Sequence, residues 1–215
     1  METNISRREH AEFRRMRYLI QHPAANFQSG KSPAILFLHG AGSRGTDFSK
    51  IENNLFFQLA DLSEFLVFAP QCRENSWADR MQDLSAFAKE IVIRPDVDEN
   101  RFYAMGYSMG GYATWQIGIS NPTLFAAIVP ICGGGMYWDA AQLEHTPVWA
   151  FHGAKDKTVL PEESKKMVDA VNRFGGTAKL TIYSDCAHDS WSVTYQNPKV
   201  FGWLLEHRRE SRRST

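Results

Sequence analysis

The sequence contains little cysteine and carries no excess of either charge. Its 215 residues include only three cysteines, Cys72, Cys132 and Cys186, which are widely separated. An odd, scattered set of this kind indicates buried thiols in a reducing compartment rather than a disulfide framework. The cysteines and histidines also lack the paired spacing of metal ligands, so we expect no metal. The 24 basic and 24 acidic residues balance, so the composition does not indicate a nucleic-acid partner.

Long apolar runs are missing as well. No stretch reaches the roughly 20 apolar residues that a membrane-spanning helix needs. The first 17 residues are strongly charged and lack the apolar core of a secretory signal. No G-x-G-x-x-G pattern follows a strand-like run, so a dinucleotide cofactor is not expected either. Together these absences predict a soluble, cytoplasmic protein that uses no cofactor.

The pattern of apolar residues predicts one α/β domain over residues 1–215, with a mostly parallel sheet and helices on both of its faces. Residues 1–16 are expected to be a helical or frayed polar lead-in, and residues 208–215 a disordered tail. Residues 16–21 could form a short edge strand. Continuous apolar runs typical of buried strands cover residues 34–38, 65–69, 102–105, 125–131, 148–151 and 179–183. Helical spacing covers residues 51–62, 79–93, 161–174 and 198–207.

The sequence Gly106-Tyr107-Ser108-Met109-Gly110 matches the G-x-S-x-G nucleophile elbow. An apolar strand precedes it and a helical pattern follows it, which is the context that the motif requires. The glycines permit a sharp turn that places Ser108 at the start of a helix, where unpaired amides favour a developing anion. A plain glycine-rich loop is the alternative interpretation. The context favours Ser108 as a nucleophile.

A serine nucleophile needs a histidine base, and an acid that orients the histidine. In the elbow architecture the chain order is serine, acid, histidine. Of the histidines after Ser108, only His188 lies in the loop after the last predicted strand, so we predict it to be the base. Asp156 follows the preceding strand and is the predicted acid. Four other carboxylates compete for this role. Asp185 and Asp189 lie beside the histidine in the sequence. Glu162 and Glu163 lie at the start of a predicted helix, where the helix dipole favours acidic residues.

The tetrahedral intermediate of such a reaction needs two preorganised donors. One is predicted to be the backbone amide of Met109, which follows the nucleophile. The other should come from the glycine-rich loop after the strand of residues 34–38. The amide of Ala41 is the first choice there and that of Gly42 the second.

These motifs resemble the α/β-hydrolase superfamily over nearly the whole chain. The resemblance is strongest to compact serine carboxylesterases, grouped with phospholipase/carboxylesterase, dienelactone-hydrolase-like and polyhydroxybutyrate-depolymerase-like esterases. The matching segments are Leu36-Phe37-Leu38-His39-Gly40-Ala41-Gly42, the elbow and the residues before it, Pro130-Ile131-Cys132-Gly133-Gly134, His152-Gly153 with Asp156, and His188-Asp189-Ser190-Trp191. Dienelactone hydrolases proper use a cysteine nucleophile, so Ser108 argues against that activity. The short opening of the chain suggests that one or two of the family's first strands are abbreviated.

The leading hypothesis is therefore a serine carboxylesterase that acts on small-molecule esters through an acyl-enzyme. A cap in this fold is usually inserted between the strand after the elbow helix and the strand before the acid. In this sequence that gap, residues 132–147, is too short for a helical cap, which predicts an open site and short acyl groups. Trp77 and Trp191 are candidate walls of the substrate site, with core packing as the alternative. A peptidase, amidase or thioesterase could use the same triad. A catalytically silent binding module is the non-enzymatic alternative, and such modules typically lose a triad member.

Overall fold

The computed structural model describes residues 7–24 and 30–209. Within them, eight strands form one sheet in the order β1-β2-β4-β3-β5-β6-β7-β8. The strands are β1 (Arg8–Phe13), β2 (Met16–Gln21), β3 (Ser32–Leu38), β4 (Leu66–Pro70), β5 (Val97–Tyr107), β6 (Ala127–Ile131), β7 (Val148–Gly153) and β8 (Ala178–Tyr183). The pairs β1–β2 and β2–β4 are antiparallel, and every other neighbouring pair is parallel. The predicted mostly parallel sheet is confirmed.

Helices cover both faces of this sheet, also as predicted. The helices are α1 (Ser49–Glu52), α2 (Phe56–Leu59), α3 (Met81–Val92), α4 (Met109–Ser120), α5 (Pro161–Arg173), α6 (Trp191–Tyr195) and α7 (Pro198–Glu206). The buried side chains of α3, α4 and α5 belong to one hydrophobic cluster, here called the α4-side core. Those of α1, α2, α6 and α7 belong to the other, the α7-side core.

Strand β3 illustrates why this sequence forms a doubly covered sheet. Successive side chains of a strand point to opposite faces. Leu36 and Leu38 accordingly lie in the α4-side core, whereas Ile35 and Phe37 lie in the α7-side core. Because both faces are covered, β3 has to be apolar at nearly every position. Because strands β3 to β8 all run parallel, the loops that follow their carboxyl ends lie at the same edge of the sheet.

The structure corrects the predicted lead-in. Residues 8–13 form strand β1, which pairs with β2 along its whole length, so β2 is not the edge strand. The side chains of β1 alternate between exposed and half-buried, as expected for an edge strand with one face on the protein. The first strands are thus present rather than abbreviated. Residues 1–6 and 210–215, which include most of the predicted tail, lie outside the described residues.

Two further elements differ from the sequence prediction. The predicted helix over residues 51–62 is divided into the single-turn helices α1 and α2, separated by a turn around Asn54, whose side-chain oxygen accepts from the amide of Phe56. Helix α6 was not predicted. In the gap that was predicted to be too short for a cap, residues 137–143 form a 3₁₀ helix. Among residues 7–24 and 30–209, no helix has both the length and the apolar character needed to cross a bilayer.

Candidate active site

Ser108 stands between β5 and α4 in a strained backbone conformation. Its φ of 55° and ψ of −120° are unusual for a residue that carries a side chain. The conformation is held on both sides, because the Ser108 amide donates to the Ile131 carbonyl at 2.9 Å and the Ser108 carbonyl accepts from the Tyr112 amide at 3.1 Å. Strain of this kind persists only where the surroundings enforce it. The turn directs the half-buried Ser108 side chain away from the sheet.

The glycines on either side of the serine allow close backbone approach. A β-carbon at Gly106 would lie 2.5 Å from the carbonyl oxygen of Gly110 and 2.7 Å from that of Leu38. A β-carbon at Gly110 would collide with the Leu38 carbonyl oxygen and lie 2.8 Å from that of His39. Strand β3 and helix α4 can therefore approach each other at the elbow only because both positions lack a side chain.

The structure brings together the three side chains that the sequence selected. Ser108 Oγ lies 2.9 Å from His188 Nε2, and His188 Nδ1 lies 2.7 Å from Asp156 Oδ2. Because a carboxylate only accepts, His188 carries its proton on Nδ1 and presents the lone pair of Nε2 to the serine hydroxyl. His188 remains partly accessible, with 23% of its side chain exposed, whereas the Asp156 side chain is fully buried. The serine–base–acid order matches the arrangement that general-base activation requires.

Asp156 is held as a carboxylate. Its Oδ1 accepts from the amides of Thr158 at 2.8 Å and Val159 at 3.0 Å. Burial acts to raise the pKa of Asp156, but the hydrogen bonds from His188 and from these two amides outweigh it, and the net pKa is lowered. These hydrogen bonds therefore favour the ionised form of Asp156.

A second histidine contacts the same carboxylate, and sequence reasoning missed this contact. His152 is completely buried, and its Nε2 lies 3.2 Å from Asp156 Oδ2 and 2.9 Å from the Val159 carbonyl oxygen. Both neighbours are acceptors, so Nε2 bears a hydrogen. On the other side of the ring, Nδ1 lies 2.7 Å from Ser164 Oγ, and the same hydroxyl oxygen lies 2.8 Å from the Gly133 carbonyl oxygen. The sequence interpretation of His152 as a residue that shapes the loop left out its contact with the acid.

The loop after β3 is also held close to the elbow. Its His39 is buried, accepts from the Cys72 amide at Nε2 (2.9 Å) and donates from Nδ1 to the Gly40 carbonyl (2.7 Å). A β-carbon at Gly40 would lie 2.6 Å from the ring of Tyr107, the residue before the nucleophile. Ala41 then begins a short 3₁₀ helix and Met109 begins α4. Amides in the first turn of a helix have no partner inside that helix. The amides of Ala41 and Met109, the predicted oxyanion donors, therefore have hydrogens that their own helices do not use.

The two predicted tryptophans lie on opposite faces of the sheet. Trp77 belongs to the α4-side core, is 1% exposed, and donates from its indole nitrogen to the His39 carbonyl at 3.0 Å. It also lines a cleft beside Met109. Trp191 packs against the α7-side core, with its ring 4.6 Å from that of Tyr107 and 5.4 Å from that of His188. Each ring packs with the core on its own side of the sheet, so their roles as walls of the substrate site stay separate predictions.

The competing acids lie away from His188. Asp185 is 91% exposed and pairs with Lys155 at 3.1 Å. Asp189 is exposed and accepts from the amide and hydroxyl of Ser192 at the start of α6. Glu162 and Glu163 lie in the first turn of α5, where the helix dipole favours acidic residues. Among the described residues, none of these four carboxylates hydrogen-bonds His188, whereas Asp156 does.

Cys132 also lies at the site. Its thiol and the ligand atoms of Asp156 and His188 lie within 4.8 Å of one another. Burial raises the pKa of the Cys132 thiol to about 12, so forming the thiolate that a metal would bind is costly. A metal would also have to break the 2.7 Å hydrogen bond between Asp156 and His188. The residues present therefore fit the hydrogen-bonded triad better than a metal centre.

The fold and this site define an α/β-hydrolase. Residues 66–197, more than half of the chain, match the Dienelactone hydrolase family. The chain belongs to the dienelactone hydrolase family, with serine at the elbow position.

Known proteins that the chain resembles include esterases and peptidases. It is similar to a solved thermostable esterase, with 30% identity and a TM-score of 0.77 over 95% of this chain and 63% of that one. A putative dienelactone hydrolase from Klebsiella pneumoniae shares the fold at 16% identity, with a TM-score of 0.72 over 93% of this chain and 98% of that one. Dipeptidyl-peptidase 5 of Porphyromonas gingivalis is 25% identical, over 81% of this chain and 33% of its own length. The chain thus spans about a third of that peptidase and less than two thirds of that esterase.

Proposed function

We propose that this protein hydrolyses carboxylic esters through an acyl-enzyme, with Ser108 as nucleophile, His188 as general base and acid, and Asp156 as the orienting carboxylate. The observation that carries the proposal is the continuous chain from Ser108 Oγ to His188 Nε2 at 2.9 Å and from His188 Nδ1 to Asp156 Oδ2 at 2.7 Å. Membership of a hydrolase family and the similarity to a solved esterase support it.

In the proposed reaction, Ser108 Oγ attacks the ester carbonyl carbon while His188 Nε2 takes the hydroxyl proton. The ester oxygen then leaves as an alcohol, with that proton returned by His188, and a water repeats the sequence to release the acid. Ionised Asp156 stabilises the imidazolium that forms at each stage. The amides of Met109 and Ala41 are the proposed donors to the developing oxyanion, a type of contact whose loss costs about 10²–10³ in kcat.

The natural ester is proposed to be small and accessible. The connection over residues 132–147 contains one 3₁₀ helix, and nothing in it has the size of a helical cap. Acetyl and butyryl esters, the short substrates expected from the sequence, are therefore the first to test.

Amide hydrolysis is the second candidate, favoured by the similarity to a dipeptidyl-peptidase. The test compares p-nitrophenyl acetate and butyrate, a butyryl thioester and a dipeptide p-nitroanilide as substrates of wild type and Ser108→Ala. We expect the oxygen esters to have the highest kcat/KM, and the substitution to lower kcat by about 10⁶. A peptide anilide cleaved faster than the esters would instead support a peptidase. Ester hydrolysis that survives in Ser108→Ala would contradict the proposed nucleophile.

A further inference from the structure

An apolar cleft of about 570 Å³ opens beside Met109. Its walls come from the 3₁₀ turn before α3, the first turn of α3, one side of α4, and the loop after β6. The large side chains that line it are Trp77, Met81, Met109, Tyr112 and Met136. The cleft therefore forms without a cap, because part of the short connection over residues 132–147 supplies one of its walls.

The cleft lies on one side of the sheet, and this position indicates whether it faces the acyl group or the alcohol of the substrate. Trp77, Met81 and Met109 pack with the α4-side core, whereas Trp191, beside His188, packs with the α7-side core. In the proposed reaction His188 returns a proton to the leaving alcohol, so the alcohol must lie next to His188. The acyl group, bonded to Ser108 and with its oxygen near the Met109 amide, is left to extend along the Met109 side.

The lining also restricts the chemistry of the acyl group. None of the described residues that line the cleft is charged. A β-carbon at Gly134, a buried residue of the lining, would lie 2.9 Å from a carboxylate oxygen of Glu163 and 3.2 Å from the ring of Tyr112. Burial raises the pKa of Tyr112, and the negative charge of Glu163 raises it further. An anionic acyl group would thus meet an apolar wall and a nearby carboxylate, with no cation lining the cleft to pair with it.

We propose that this cleft binds the acyl group of the substrate, and that this group is uncharged, apolar and longer than butyryl, at about six to eight carbons or a phenyl-bearing equivalent. The inference rests on the proposed ester hydrolysis and replaces the short-acyl optimum expected from the sequence. Sites that enclose whole small ligands measure about 300–1,000 Å³, so a cleft of about 570 Å³ is large for a four-carbon chain. Three flexible methionines suit it to chains of varied shape.

The test is a p-nitrophenyl ester series from acetate to dodecanoate, with kcat/KM as the readout. Each methylene buried in the cleft should raise kcat/KM by up to about fourfold. We expect an optimum at hexanoate to octanoate and a decline by dodecanoate. An acyl chain that ends in a carboxylate, such as p-nitrophenyl hydrogen adipate, should react at least about tenfold more slowly than hexanoate.

Two substitutions fill the cleft, and a third, outside the cleft, serves as their matched control. Met81→Trp and Met136→Trp change half-buried lining positions and should lower kcat/KM for octanoate at least about tenfold more than they lower kcat/KM for acetate. Ile93→Trp adds the same ring at a 75% exposed position beyond the end of α3 and should change neither. Melting temperatures close to that of wild type show that each variant is folded.

The possible failures are distinguishable. A series that peaks at acetate, together with unchanged octanoate rates in both filled variants, would overturn the assignment of the cleft while leaving ester hydrolysis intact. Wild-type protein that hydrolyses no ester, acetate included, would instead overturn the proposed function.

Discussion

His152 Nε2 lies 3.2 Å from Asp156 Oδ2, the same carboxylate oxygen that accepts from His188 Nδ1 at 2.7 Å. Both the His152 and the Asp156 side chains are completely buried. Asp156, the proposed orienting acid, therefore contacts a second buried imidazole and accepts from two backbone amides.

This contact predicts a catalytic defect when the ring is removed. His152→Leu removes the buried ring that contacts Asp156 and leaves the Val159 carbonyl without its donor, which costs about 1–3 kcal/mol, so kcat should fall about 10- to 100-fold with KM little changed. His152→Gln keeps an N–H donor and should restore part of kcat. Steady-state kinetics and melting temperatures of both variants provide the check. If His152→Leu is folded and retains the wild-type kcat, His152 has no part in positioning the acid.

The choice of acid can be tested among three aspartates. Asp156→Asn removes the charge that fixes the tautomer of His188, and kcat should fall by about 10⁴. Asp185→Asn and Asp189→Asn are the controls, because both carboxylates are exposed and have other partners. We expect them to stay within about twofold of wild type. A large loss in either control, with an active Asp156→Asn, would move the acid to that residue.

His39 predicts a pH dependence of stability. Burial lowers its pKa from 6.5 to about 4, because the neutral ring accepts from the Cys72 amide and has no solvent to stabilise a cation. Between these two values the unfolded chain binds a proton that the folded chain does not, so stability falls as the pH falls. The expected loss of unfolding free energy from pH 7 to pH 5 is about 2 kcal/mol.

Urea unfolding of wild type and His39→Gln across pH 5–7 measures this loss. Glutamine can accept and donate in the same region but does not titrate, so the variant should show a pH dependence smaller by about 2 kcal/mol. Parallel curves for the two proteins would show that His39 is not the responsible group.

The elbow glycines predict a difference between two glycine-to-alanine substitutions. Gly110→Ala forces a β-carbon onto the Leu38 carbonyl, and overpacking of this kind costs about 1–3 kcal/mol. Gly202→Ala, in α7, adds a methyl group that meets nothing within 4 Å and should stabilise by up to about 1 kcal/mol. Urea unfolding at neutral pH compares them. Equal effects of the two substitutions would mean that β3 and α4 do not approach closely at the elbow.

Features encoded by local patterns could be predicted from the sequence. The buried strands appear as continuous apolar runs, and the elbow is a contiguous motif in a strand–helix context. Chain order then sufficed to select His188 and Asp156, because each follows a strand of the parallel sheet. Strand β1 escaped prediction because an edge strand with one face in solvent contains charged residues such as Arg8 and Glu12.

Features that depend on how separate loops meet could not be predicted. The contact of His152 with Asp156 requires the loop after β7 to turn back on itself, which the spacing of the two residues does not reveal. The cleft has walls from four separate segments, and the role of each depends on the others. The short-acyl expectation rested on the missing cap alone, and the walls on the α4 side are the reason for the longer acyl group proposed above.

The most direct test of the account is covalent labelling of the nucleophile. A fluorophosphonate should add one label per chain of folded wild-type protein, and peptide mass spectrometry should locate the label on Ser108, whose hydroxyl lies 2.9 Å from His188. Ser108→Ala should abolish labelling, whereas Ser192→Ala, which removes a hydrogen bond to Asp189 in the first turn of α6, should label at the wild-type rate. Labelling that persists in Ser108→Ala, or a label found on another residue, would contradict the proposed active site.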